Sequence, residues 1–165
     1  MTYATASQFI QQYDAEEIAQ RADRGIPRLV TAEMLELAAI DGDLSGFTVE
    51  EQAATVKALE LINVKLEDAD SVVNGYLASR YNLPLAVLPR MIVTTACDIA
   101  RYEIYDDNAT EIIATRYKDA IKRLTAISKG EINLGIDTSG NKPVINDGAQ
   151  VVTGGKVFVR DGSFI

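Results

Sequence analysis

The chain has 165 residues, 24 acidic against 16 basic, a net charge of −8, no histidine and one cysteine. That length fits one domain with room for an appendage, and an apolar content of 47% is enough for a single core. The charge balance argues against sequence-specific nucleic-acid binding and against anionic membranes, because both need Lys and Arg to neutralise phosphates; a negative wall could still let a duplex slide past without sticking.

The opening MTYATASQF has neither the basic stretch nor the apolar run of a signal peptide, and no apolar run approaches the ~20 residues of a spanning helix. Cys97 cannot form an internal disulfide. The expectation is a soluble protein made in a reducing cytoplasm.

In chain order, Thr5 or Ser7 can cap a short first helix carrying Phe9, Ile10 and Tyr13. Asp14-Ala-Glu-Glu17 has the form of a capping box and opens a second helix, about 15–23, which Gly25 and Pro27 end. Thr31 is the N-cap expected for a third, about 31–40, with Met34, Leu35, Leu37 and Ala38 as its apolar positions. After the turn cluster Asp41-Gly-Asp-Leu-Ser-Gly46, a second capping box, Thr48-Val-Glu-Glu51, starts the longest helix, about 49–81. Its stripe runs Ala53, Val56, Leu59, Ile62, Leu66, Ala69, Val73, Tyr76 and Leu77, with Asn74-Gly75 as a candidate kink. Pro84 disfavours helical geometry at Leu83, so the helix must lose its regularity by Asn82-Leu83-Pro84.

Pro89 suits the first turn of a helix over about 89–106 that is apolar on most sides and reads as the central, most buried element. Asn108-Ala-Thr-Glu111 has the form of a third capping box, for a last helix over about 109–129. That helix carries Ile112, Ile113, Tyr117, Ala120, Ile121, Leu124 and Ile127, and Gly130 stops it. Residues 131–165 then hold six of the eleven glycines, with β-prone runs at Val144-Ile145, Gln150–Thr153 and Lys156–Arg160. The chain therefore divides into a helical domain, 1–130, and an extended Gly-rich C-terminal arm, 131–165, in which a hairpin can close around Gly154-Gly155. The expected fold class is all-α: a helical bundle built on one long and two further core helices, with a short β-prone C-terminal arm.

Without histidine the chain lacks the commonest general base and metal ligand, and every Ser-His or Cys-His arrangement. Cys97 lies in the most apolar helix and reads as core filling. No glycine motif of the phosphate-cradling kind precedes a helix. The expectation is no enzyme and no cofactor. Asp41, Asp43 and Ser45 with Gly46 match positions 1, 3, 5 and 6 of an EF-hand loop, but Gln52 stands where the bidentate Glu belongs. They are weak metal candidates beside a plainer reading, an Asx-type turn before a capped helix. Asp98, in the central helix, needs a partner, and Arg80, Arg101 or Arg116 could supply it across the bundle as a buried pair fixing helix register.

Several strings together resemble a known family. Tyr3-Ala-Thr5, Gln8-Phe9, Gly75-Tyr-Leu-Ala-Ser-Arg-Tyr-Asn-Leu-Pro-Leu85, Ala96-Cys-Asp-Ile-Ala-Arg-Tyr102, Arg116-Tyr-Lys-Asp-Ala120 and Ile127-Ser-Lys-Gly130 are similar, in order and spacing, to a domain-of-unknown-function family. That family is encoded in the morphogenesis clusters of Mu-like phages and prophages and is akin to head–tail connector (adaptor) proteins. The resemblance covers about 1–27 and 56–135; residues 28–55 look inserted, and the tail from 136 falls outside it. It implies a structural subunit of the virion neck, a ring beneath the portal formed with copies of itself and neighbouring neck or tail proteins. The free chain could be a monomer that assembles only on a template. Tyr76, Tyr81 and Pro84 would be structural positions, and Val151, Val157, Phe158 and Val159 would anchor the arm on a neighbour. The alternative is a small acidic binding or regulatory module, responsive to calcium through the Asp41–Ser45 loop.

Overall fold

A computed structural model describes residues 2–136. Among them are six α-helices: α1 Ala6–Gln12, α2 Ala15–Ala22, α3 Ala32–Ala38, α4 Val49–Leu77, α5 Arg90–Tyr105 and α6 Glu111–Lys129. A 3-10 turn, Asp106–Asn108, joins the last two, and no strand occurs among the described residues. Capping fixes most starts. Thr5, Asp14, Thr31 and Thr48 each accept a backbone N–H from the first turn, and Thr5–Gln8 and Thr48–Glu51 close full capping boxes. α6 begins later than the Asn108 signal implies. Residues 106–108 are already wound in the 3-10 turn, so Thr110 becomes the cap.

The core is a three-helix arrangement with α5 in the middle, packed against α4 and α6. α5 buries Ile92, Ala96, Cys97, Ile99, Ala100 and Ile104. α6 contributes Ile113, Ala120, Leu124 and Ile127, and α4 contributes Ala58, Ile62, Leu66, Ala69, Val73 and Leu77 at intervals of three and four. Each large aliphatic side chain fully removed from water contributes roughly 1.5–3 kcal/mol before entropy is charged against it. α2 and α3 pack together and onto α4, while α1 lies against α4 and α2.

The stripe on α4 differs from its sequence reading at the start. Ala53 and Val56 face solvent, and Thr55 and Ala58 turn inward instead. α4 has 29 residues, about 44 Å, and α5 has 16, about 24 Å. α4 is therefore longer than α5 can cover, and its first turns share a cleft with the end of α2 and the loop after it. α4 also closes at Leu77, through backbone bonds from Arg80 and Tyr81 to the Leu77 carbonyl, four residues before the expected end. It runs unbroken through Asn74-Gly75.

After α6, Gly130 takes the left-handed conformation (φ 84°) that stops a helix, and residues 131–136 stay on the bundle. Leu134 and Ile136 are buried in the core, so these six residues belong to the helical unit, not to an arm. The anchors Val151, Val157, Phe158 and Val159 lie outside the described residues.

Candidate interaction surface and the polar clamps behind it

The described polar residues fall into two groups: clamps that hold the helices together, and side chains left on the surface. The largest clamp joins the α1–α2 pair to α5. Arg101 makes a bidentate ion pair with Glu17 (2.6 and 2.8 Å), and its guanidinium lies over the Tyr13 ring at 4.5 Å. The Tyr105 hydroxyl donates to the same Glu17 at 2.7 Å, and Arg21 stacks over the Tyr105 ring. Burial, and then the Glu17 carboxylate, push the Tyr105 hydroxyl up, which keeps it a donor.

Asp98 is not paired with an arginine. It accepts a 2.8 Å hydrogen bond from the Tyr13 hydroxyl, and burial followed by the Asp98 charge raises the tyrosine far above its ordinary value. The three candidate partners are accounted for elsewhere. Arg101 is taken by Glu17, one helical turn on. Arg80 lies across the C-terminal turn of α6, donating to the Ile127 carbonyl, where a cation complements the helix dipole. Arg116 stands exposed on α6 with no ion pair among the described residues. The register of α1 against α5 is thus set by a tyrosine–carboxylate bond where the sequence suggested an ion pair.

Two further carboxylates, unremarked in the sequence, prove central. Asp23, 5% exposed, gathers three backbone N–H groups, from Gly25 (2.7 Å), Leu29 (2.6 Å) and Val30 (3.0 Å), and so ties the α2–α3 loop into one shape. Burial by itself would raise its carboxyl; these three donors and nearby Arg28 outweigh that and hold it below the ordinary carboxylate value. Asp70, on α4, accepts from the Tyr3 backbone N–H at 3.0 Å and pins the N-terminal segment, and burial pushes its carboxyl up. The sequence signal for Asp23 was a loop of Gly and Pro directly after an aspartate; Asp70 carried none, since it sits among other acids on a long helix.

Tyr81 is buried, and its hydroxyl accepts from the Leu134 N–H at 3.3 Å, holding the segment after α6. Tyr76 is half-buried on α4, and Pro84 is exposed beside Leu83, Tyr3 and Asn74. In the Asp41–Ser45 loop, the Asp43 carboxylate accepts from the Ser45 N–H and hydroxyl, both at 2.8 Å, while Glu51 is engaged on Thr48. That is the Asx turn and capped helix. Among the described residues no group of three or more Cys, Asp or Glu side chains is placed to hold a metal ion. Cys97 is buried, and burial, then Asp98, push its thiol up to about 12, a protonated and poorly nucleophilic state.

What is left on the surface is apolar at a few points. Ile26, at the tip of the Asp23-tied loop, is 100% exposed, and Val49, Ile112 and Ile40 are 76%, 69% and 65% exposed. Ile112 and Ile113 were both expected on the core face; Ile113 is buried, but Ile112, about 100° away round α6, faces solvent. A cleft of about 640 Å³ between the loop and the start of α4 is lined by Ala22, Ala53, Ala54, Lys57 and Leu61. A smaller one of about 290 Å³ opens between α1 and α3, lined by Ile10, Ala39, Ile40 and Glu36.

These features define the class: an all-α helical module whose inner polar groups bind helix to helix and whose exposed apolar groups stand on loops and outer faces. The chain belongs to the family described as Bacteriophage Mu, Gp36, whose model matches residues 3–153, a span that includes the 28–55 segment. It is 34% identical over 98 residues to the Mu-like prophage FluMu protein gp36 of Haemophilus influenzae, a match covering 59% of this chain and 70% of that one. It is 31% identical over 96 residues to Gene product J of Escherichia phage Mu, covering 58% of this chain and 68% of the relative. The protein is thus a Mu-like phage protein.

Proposed function

We propose that this protein is a non-enzymatic structural subunit of the phage particle, a head–tail connector or adaptor that completes the head by protein–protein contacts in the neck. It associates with copies of itself and with the portal and neighbouring neck or tail proteins, and it needs no cofactor. The observation that carries this reading is the use made of the buried polar side chains. Among the described residues every buried side-chain nitrogen or oxygen has a hydrogen-bond partner, and the partners lie within the bundle itself, on other helices, on loops or, for Thr55, one turn back on the same helix. Catalytic sites hold polar groups in reserve for a substrate; here they give stiffness, which is what a load-transmitting wedge requires. Membership of a phage Mu family supports a virion role, and the resemblance in sequence to connector proteins is the ground for the neck.

The test is loss of the gene in the phage or prophage that encodes it. Filled heads and complete tails that fail to join, restored by supplying the protein in trans, are the expected outcome, with the tagged protein found at the head–tail junction of purified particles by electron microscopy. Joined, infectious particles made without it would overturn the proposal.

A further inference from the structure

The segment from Arg21 to Arg28 is the basic pole of an acidic protein. It carries three arginines in eight residues, and its one acid, Asp23, faces inward onto the loop backbone. Arg24 is held by Asp106 at 2.8 Å, but Arg28 is exposed and has no ion pair among the described residues. At the tip, Ile26 touches nothing of its own chain. An isoleucine held fully in water on a loop fixed by three hydrogen bonds loses little entropy on docking, which is the profile of an interface anchor.

The opposite pole begins immediately after. Between Arg28 and Lys57 there are six acidic residues and no basic one. Within this stretch, α3 starts just beyond the loop, and Ile40 follows its other end. The seven-residue helix places the two about 10 Å of helix apart. There the cleft between α1 and α3 has buried Ile10 at its floor, Ala39 and exposed Ile40 on the α3 side and Ser7 and Gln11 on the α1 side, with the Glu36 carboxylate at its edge and Glu33 a turn earlier. One end of α3 thus offers an apolar knob flanked by arginine, and the other an apolar socket edged by glutamate.

We infer that these two ends bind each other between copies of the chain: the Ile26 tip of one copy seats in the α1–α3 cleft of the next, with Arg28 against Glu36. The occupant is a second copy because the complement of each pole is carried by the chain itself, whereas two copies with a net charge of −8 each repel one another over most other approaches. A knob and a socket on different surfaces make a head-to-tail contact, which repeats from copy to copy instead of stopping at a pair. The inference rests on the structural-subunit reading above and specifies which faces meet.

The test uses the full chain carrying Ile26→Cys and Ile40→Cys together, both free and incorporated in particles, with buried Cys97 left in place. On oxidation the double variant is expected to give a covalent ladder of trimers and larger species, and an equal mixture of the two single variants a cross-linked heterodimer only. Arg28→Glu should reduce the ladder about tenfold and Arg28→Glu with Glu36→Arg should restore most of it. About 1 M salt, where screening length falls to about 3 Å, should weaken it as well. All four positions are exposed, and circular dichroism checks that the variants remain helical. Absence of the ladder both in solution and in particles that contain the chain would overturn this contact and leave the structural role standing. Homodimers of the single variants forming as readily as the mixed product, or a ladder indifferent to Arg28→Glu, would also overturn it. A chain missing from particles would instead count against the role on which the inference rests.

Discussion

Asp23 and Asp70 are both buried aspartates bonded to backbone N–H groups, and the same substitution should affect them oppositely. Asp23 receives three donors, and asparagine can offer them only one oxygen. Asp23→Asn is expected to cost about 2–3 kcal/mol, read as a drop in the denaturant midpoint. Asp70 receives one backbone donor and is raised by burial. Asp70→Asn keeps the acceptor, removes a poorly solvated charge, and should leave Tm unchanged or higher. The pH dependence follows the same division. The folded Asp23 carboxyl lies below its ordinary value of 3.8, so its contribution is complete above that pH and disappears as pH falls through the lower folded value. Asp70 is raised, so its cost is felt at neutral pH and fades on acidification. In acid titrations of stability, the gap between the wild type and Asp23→Asn should therefore be full above pH 3.8 and close as the pH falls through the lower folded value.

At the level of elements, α1 and α2 are short, seven and eight residues, and such helices do not persist alone in water. Their order depends on the core beneath Phe9, Ile10 and Ile18 and on the Glu17–Arg101 clamp. Arg101→Leu is expected to cost about 2 kcal/mol and to raise amide hydrogen exchange in residues 6–22 more than in α5. Equal acceleration throughout would mean that the clamp is not local. At the other end, Gly130 is left-handed, and a methyl group there would run into the Arg80 guanidinium. Gly130→Ala should cost about 1–2 kcal/mol in thermal unfolding. Helix identity and most caps were legible because the apolar periods and the Thr/Asp caps are local signals. The choice of partner for each charged side chain was not. Asp98, Arg101 and Arg80 lie within about 20 residues of one another, yet their partners come from Tyr13, Glu17 and Ile127, a matter of which helices become neighbours.

For the whole molecule, the described fold ends with Ile136 in the core. A chain cut after Ile136 should still fold with α1–α6 in place, while one cut after Gly130 should lose stability, because Leu134, Ile136 and the Tyr81 hydroxyl bond go with it. Circular dichroism melts of the two truncations check this; a melt of the shorter form matching the longer would show that the 131–136 segment adds nothing. The exposed apolar positions were the least legible part of the molecule. Ile26, Ile40 and Val49 are indistinguishable from core residues by type, and only the packing shows that the core did not need them.

The sequence by itself determined which segments are helical, most of their caps, the all-α class, the central place of α5 and the resemblance to a Mu-like phage family, because helix periods, caps, stops and family motifs are written locally along the chain. Tertiary structure alone decided which carboxylates became clamps, where α4 turns its face, and which isoleucines remained in water. Those outcomes depend on distances between residues far apart in the chain, and such distances exist only once the helices have packed.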